Sequence, residues 1–156
     1  MSVLRPLLPL GLAAAVLLGH AAAGTQDAAS ADLSGLVAAA ESICEVDVLS
    51  AEAALLDDGT IETRYSLATR TPIKGVVASI QELRMPGGEV AGRGLLVPGL
   101  PRFAPGERVV LFLSAPTPDK AWRFPVGLES GAVRLSSNDR DAYLAEVFAE
   151  VQRQDG

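Results

Sequence analysis

Glu89 and Glu107 are the carboxylates best set for acid/base work, because they border one unusual segment, Pro86–Leu113. Hydrolysis of a glycosidic bond needs only two acids at a suitable separation. Acidic residues beside turns are more often simply solvated, and that is the reading preferred for both. Other chemistry is missing. The one histidine, His20, lies within the first 23 residues, so the remainder cannot assemble Ser-His-Asp or Cys-His machinery or a zinc site of His and Cys. The glycines of the segment neither end in Gly-Lys-Ser/Thr nor spell a dinucleotide fingerprint. Asp57-Asp58 offers two adjacent carboxylates without further oxygen ligands, which reads as a turn rather than a calcium site. No catalytic residue, metal site or cofactor is therefore expected.

Binding is the chemistry left. Pro86–Leu113 holds six glycines and four prolines before closing on an apolar run. Glycine weakens both regular structures and proline removes a ladder donor, so a long ordered loop from Pro86 to Phe103 is expected rather than a helix or a central strand. Such loops carry function when a rigid frame holds their ends. The candidates for partner binding are Gly87 and Gly88, which shape the loop, and Glu89, Arg93 and Arg102, whose charges face a ligand; arginine offers a planar fork for carboxylates or aromatic faces. Leu95, Leu96 and Leu100 either touch a partner or tuck beneath the loop, the second being preferred. The partner class is a protein or a glycan. A carboxylate-dependent hydrolase built on Glu89 and Glu107, or a structural role in an envelope or matrix assembly, are the alternatives.

The chain of 156 residues is long enough for one domain. Residues 1–23 read as a secretory signal peptide: Arg5, an apolar run Leu7–Leu18 and the small residues Ala21-Ala22-Ala23. That run is too short to span a bilayer, so no stable membrane insertion is expected after its removal, and the protein is expected to be secreted or periplasmic. Without Arg5, 12 of the 13 basic residues remain against 19 acidic ones, a formal charge of −7. An acidic domain without a basic run is a poor partner for nucleic acid. Cys44, the only cysteine, reads as a buried small hydrophobe.

Residues 24–31 read as a flexible lead-in and residues 32–153 as a single domain. Asp32 is placed to cap a short helix carrying Leu33, Leu36, Val37 and Ala40 on one stripe. Alternation predicts strands through Cys44, Val46 and Val48, through Ile61, Thr63, Tyr65 and Leu67 after an Asp57-Asp58-Gly59 turn, over Val76–Leu83, over Arg108–Leu113, through Trp122, Phe124 and Val126, and over Ala132–Leu135. Trp122 is assigned to the core. A last helix, capped at Ser137-Asn138, sets Tyr143, Leu144, Val147, Phe148 and Val151 on one face. Sequential short strands without helical crossovers predict a mainly β fold: a small antiparallel barrel of five or six strands with a helix at each end.

Leu36–Ile43, Ile61–Tyr65, the Ile73-Lys74-Gly75 turn and above all PGGEVAGRGLLVPGLPRF followed by GERVVLFL resemble a group of uncharacterised secreted bacterial proteins. The layout is also similar, more distantly, to the netrin-like module of tissue inhibitors of metalloproteinases, and implies an OB-like barrel flanked by helices. Those inhibitors reach the protease metal through an N-terminal cysteine and hold their edge with disulfides; a chain with Cys44 alone carries neither device.

Overall fold

The computed structural model describes residues 26–156, with side chains from Leu33 onward. The expected signal peptide and the first two residues of the expected lead-in lie outside the described residues. The first helix, α1 (Gln26–Ala39), begins six residues before Asp32, taking in the rest of that lead-in; the alanines at 28, 29 and 31 are good helix formers.

Strands β1 (Ser42–Leu55) and β2 (Ile61–Lys74) form one long antiparallel ribbon. Past Val48, the last residue at which the alternation is clear, β1 runs on to Leu55. The turn between them is closed by Asp58, whose Oδ1 accepts from the Thr60 N–H at 2.9 Å, and by Gly59 in the left-handed region at φ 83°. Register shifts at Ile43/Cys44, Glu45/Val46 and Val48/Ser50 add bulges, and bulges bend and coil a ribbon. Its two ends therefore acquire different neighbours. Strand β3 (Ile80–Pro86) pairs with Glu62–Ala68 of β2, whereas β6 (Arg108–Leu113) pairs with Ser42–Asp47 of β1. Beyond β6 lies the short edge strand β7 (Ala132–Arg134), giving the order β3-β2-β1-β6-β7. The third strand starts at Ile80 rather than Val76, after a turn in which Gly75 (φ 75°) passes so close to the Glu41 carbonyl that a Cβ would stand 2.5 Å from it.

The concave face of the coiled sheet gathers Cys44, Val46, Val48, Tyr65, Leu67, Leu83, Met85, Val109 and Leu111 into one core. The other face, at the β1/β6 end, receives both helices: Ile43, Val110 and Phe112 meet Leu36 and Val37 of α1 and Leu144, Val147 and Val151 of α2 (Arg140–Asp155). Being apolar on both faces, β6 is buried on both. Helix α2 takes Asp139 as its N-cap, one residue past the expected cap, with the Ser136 hydroxyl donating to Asp139 Oδ2 at 2.5 Å. Phe148, expected on the buried stripe, is 37% exposed.

The sheet does not close into a barrel. Its edges β3 and β7 share no ladder. The strand expected through Trp122, Phe124 and Val126 is absent as well: Pro116, Pro118 and Pro125 remove the donors a ladder would use, leaving one isolated bridge, Leu113 to Pro125. This irregular segment spans the seam instead. The Arg123 N–H donates to the Arg84 carbonyl of β3 at 3.1 Å, while its guanidinium reaches the Ser114 carbonyl at 2.9 Å and the Ser42 hydroxyl at 2.8 Å. One residue thus ties β3 to the start of β1 and the end of β6.

Arg123→Ala should cost about 1–3 kcal/mol, read as a lower urea midpoint by Trp122 fluorescence, with Arg123→Lys falling between; an unchanged midpoint would show that the seam is held elsewhere. Cys44 is fully buried and accepts a 3.4 Å contact from Gln81 Nε2, and burial pushes its thiol pKa up. A thiol reagent should leave it untouched until denaturant is added.

Candidate functional site

The Pro86–Phe103 segment is an arch with structure of its own. Within the long ordered loop expected from the glycines and prolines stands a two-stranded hairpin, β4 (Gly88–Val90) and β5 (Arg93–Leu95). Its turn holds Ala91 at φ 50° and Gly92 at φ 75°, both left-handed, as a tight hairpin turn matched to strand twist requires. Alanine there gives no sequence cue of the Asn-Gly kind.

The foot of the hairpin is fixed to the body. The Gly87 N–H donates to the Ile61 carbonyl at 2.7 Å and the Thr63 hydroxyl to the Gly87 carbonyl at 2.8 Å. At Gly88 (φ 128°) a Cβ would stand 2.6 Å from Thr63 Oγ1 and 3.0 Å from Ala53 Cβ, so only glycine lets the strand lie this close to the ribbon. The far end is fixed too. Leu100 packs on the concave core, and buried Phe103 meets Tyr65 edge to face with ring centroids 5.3 Å apart. Arg134 covers Phe103 at 5.4 Å and donates to the Arg102 carbonyl at 2.7 Å. Beneath the arch, between Thr63, Tyr65, Met85 and Leu100, a cavity of about 10 Å³ remains, room for about one water. Any ligand of the arch must therefore use its outer surface.

That surface contains the predicted charges unequally. Glu89 and Arg93 are exposed and make no ion pair among the described residues. Arg102 instead braces the arch, donating to the Leu95 carbonyl at 3.3 Å. The leucines divide: Leu100 tucks under, Leu95 is half-buried and Leu96 stands 71% exposed. Glu107 does not join Glu89. It accepts from the Ala104 N–H at 3.2 Å and faces Arg134 at 3.5 Å, and its carbonyl bonds Val48, whereas the foot of Glu89's strand rests on Ala53. Five residues of β1, about 16 Å of strand, separate those two anchor points.

Two other carboxylates, which alternation assigns to the solvent side, are the most deeply buried charges among the described residues. Glu62 is fully buried. It accepts from Arg84 through Nη2 at 2.8 and 2.9 Å, from Arg64 Nε at 2.7 Å and from Trp122 Nε1 at 2.9 Å. Trp122 is consequently half-buried as a lid over Glu62 rather than part of the core, and Lys120, 4.6 Å above its ring, also pairs with Asp58. Glu45 is 1% exposed and binds Arg140 of α2 twice at 2.6 Å and the Thr71 hydroxyl at 2.8 Å. Beside it Asp47 pairs with Arg70 and Arg108. Alternation identifies the face of a strand but not what later covers it.

Comparison with protein-family models and with curated proteins gives no match. Among the described residues no His/Cys/Asp/Glu group is arranged to hold a metal ion, and no helix is long and apolar enough to cross a membrane.

Arg140 holds the Glu45 carboxyl below its ordinary pKa against the opposing effect of burial. For Glu62 burial is the largest influence and pushes upward, yet Arg84, Trp122 and Arg64 together bring the group below its ordinary value. As pH falls, the unfolded chain takes up protons before the folded one does. The stability both groups contribute is complete above the ordinary carboxylate range, about 4.3, and is lost as pH drops toward the folded-state values. Urea midpoints should therefore fall steadily below about pH 5. Glu62→Gln, which leaves Arg84 without its counter-charge, should cost about 3 kcal/mol at neutral pH and flatten that slope.

Proposed function

We propose that the protein is a non-enzymatic binding module, secreted or periplasmic, that recognises a protein or glycan through the outer surface of the 86–103 arch. One observation carries this reading: the arch is locked at both feet, by Gly87 and Gly88 on the ribbon and by Leu100 and Phe103 in the core, while Glu89, Arg93 and Leu96 between them are left unengaged. A segment built only to stiffen the body has no need to hold a leucine out in water. Preorganisation of this kind reduces the ordering cost of binding, and arginine, here Arg93, is enriched among the residues that carry binding energy at interfaces. The signal-like residues 1–23 support the location. A coiled antiparallel sheet with helices on one face supports a relation to the OB-like, netrin-like architecture, in an open variant.

Affinity capture from the extracellular and periplasmic fractions of the source cells tests the reading. The wild-type protein should retain a partner that Arg93→Ala/Leu96→Ser loses by about tenfold or more, equivalent to about 1.4 kcal/mol, at unchanged thermal midpoint. Equal capture by the double variant would remove the arch from recognition. Arg102→Ala should weaken capture less, by loosening the arch.

A further inference from the structure

The outer edge of β3 presents a second surface, separate from the arch. In an antiparallel ladder successive residues direct their peptide groups alternately to one neighbour and to the other. The Arg84 carbonyl accepts from Arg123 on the side away from β2, so Glu82 and Ile80, two and four residues earlier, also turn their N–H and C=O groups outward. No backbone group among the described residues meets the outward groups of Glu82. The side chains of this edge are open as well: Ile80 is 60% exposed, and the Glu82 side chain 59%.

Beside the edge lies a groove of about 430 Å³ on the sheet's outer face, lined by Ser50 and Glu52 of β1, Arg64 and Ser66 of β2, and Ile80 and Glu82 of β3. Directly paired residues share a face, so Ser50, Ser66 and Glu82 line up across it. Its charges are unbalanced. Arg64 and Arg84 are both held by buried Glu62, and Arg84 also faces Glu82 at 3.9 Å; with Glu52 added, three carboxylates share two guanidiniums.

We propose that Ile80–Arg84 is a strand-addition site for an extended, basic peptide segment of another protein. The segment pairs with the outward groups of Ile80 and Glu82, and a lysine or arginine opposite Glu82 lays its side chain into the groove toward Glu52. Main-chain pairing supplies affinity in such recognition and a pocket for alternate side chains supplies selectivity. The protein's own chain already uses the next step of this edge, through Arg123. The acidic edge also selects against a second copy of β3, because pairing centred on Glu82 sets two carboxylates face to face. A neutral glycan would occupy the groove and leave the peptide groups unmatched.

Titration of the 15N-labelled protein with an acetylated, amidated hexapeptide of alternating valine and lysine tests this. Amide shifts and slowed hydrogen exchange should centre on Ile80 and Glu82, and the corresponding valine/glutamate peptide should give neither. Glu82→Pro deletes one outward N–H without touching the bonds to β2, and Glu82→Lys reverses the charge; each should weaken binding about tenfold, with the second deciding if the first unfolds. Arg93→Ala/Leu96→Ser should bind the peptide normally, which separates this surface from the arch. Shifts confined to the arch, no shifts up to millimolar peptide, or undiminished binding by Glu82→Lys would overturn the proposal. So would light scattering that shows a dimer with Glu82 protected in the free protein, or a mixture of neutral oligosaccharides that shifts these amides when the peptide does not.

Discussion

The seam between β3 and β7 is the constraint on which the rest of this structure depends. A bulged ribbon as long as β1–β2 coils, and its sheet of five strands ends in two edges, β3 and β7, with no ladder between them. An open concave core would be wet along that line. The proline-rich stretch after β6 covers it, and proline forbids the stretch from doing so as a strand. Its attachment therefore combines scattered backbone bonds with side chains: Arg123 joins β3 to the start of β1 and the end of β6, and Trp122 closes over Glu62 with Lys120 stacked outside. Burying Glu62 is costly unless every lone pair is met, and two arginines and an indole meet them.

The same solution recurs on the other side of the molecule. Glu45 is buried where α2 lands on the sheet, and the helix brings Arg140 as its own first residue. Each buried carboxylate thus fixes one covering element in place and in register. The apolar cores provide the drive to cover the sheet, while these charges determine which side chains do it, since a misplaced cover leaves a carboxylate stranded at several kcal/mol.

Much of the architecture is legible in the chain. Alternation through Cys44–Val48 and Ile61–Leu67, the apolar run Arg108–Leu113 and the stripe Leu144–Val147–Val151 give the strands, the doubly covered β6 and the last helix. Closure was not legible, because it depends on how far bulges bend the ribbon, and bulges arise from register rather than residue type. Nor was the hairpin within the arch: glycine argues against strand until its left-handed turn and its contact with Thr63 are seen together. Of the candidate binding residues, the arch keeps Glu89 and Arg93 outward and uses Gly87, Gly88 and Arg102 to hold itself in shape. The buried acids escaped notice since what covers them comes from sequence-distant elements, Trp122 and Arg84 over Glu62 and Arg140 over Glu45.

That distance has a consequence for how the molecule is made. Ser42 waits 81 positions for Arg123, Glu45 waits 95 for Arg140, and Ser34 waits 119 for Arg153. A chain emerging from its N-terminus forms the long hairpin early and meets Glu62 with Arg64 and Arg84 soon after, but it keeps Glu45 without Arg140 and the interior unsealed until its final residues appear. Contacts of such wide separation slow assembly, and a nascent chain halted before Arg140 has nothing with which to silence Glu45.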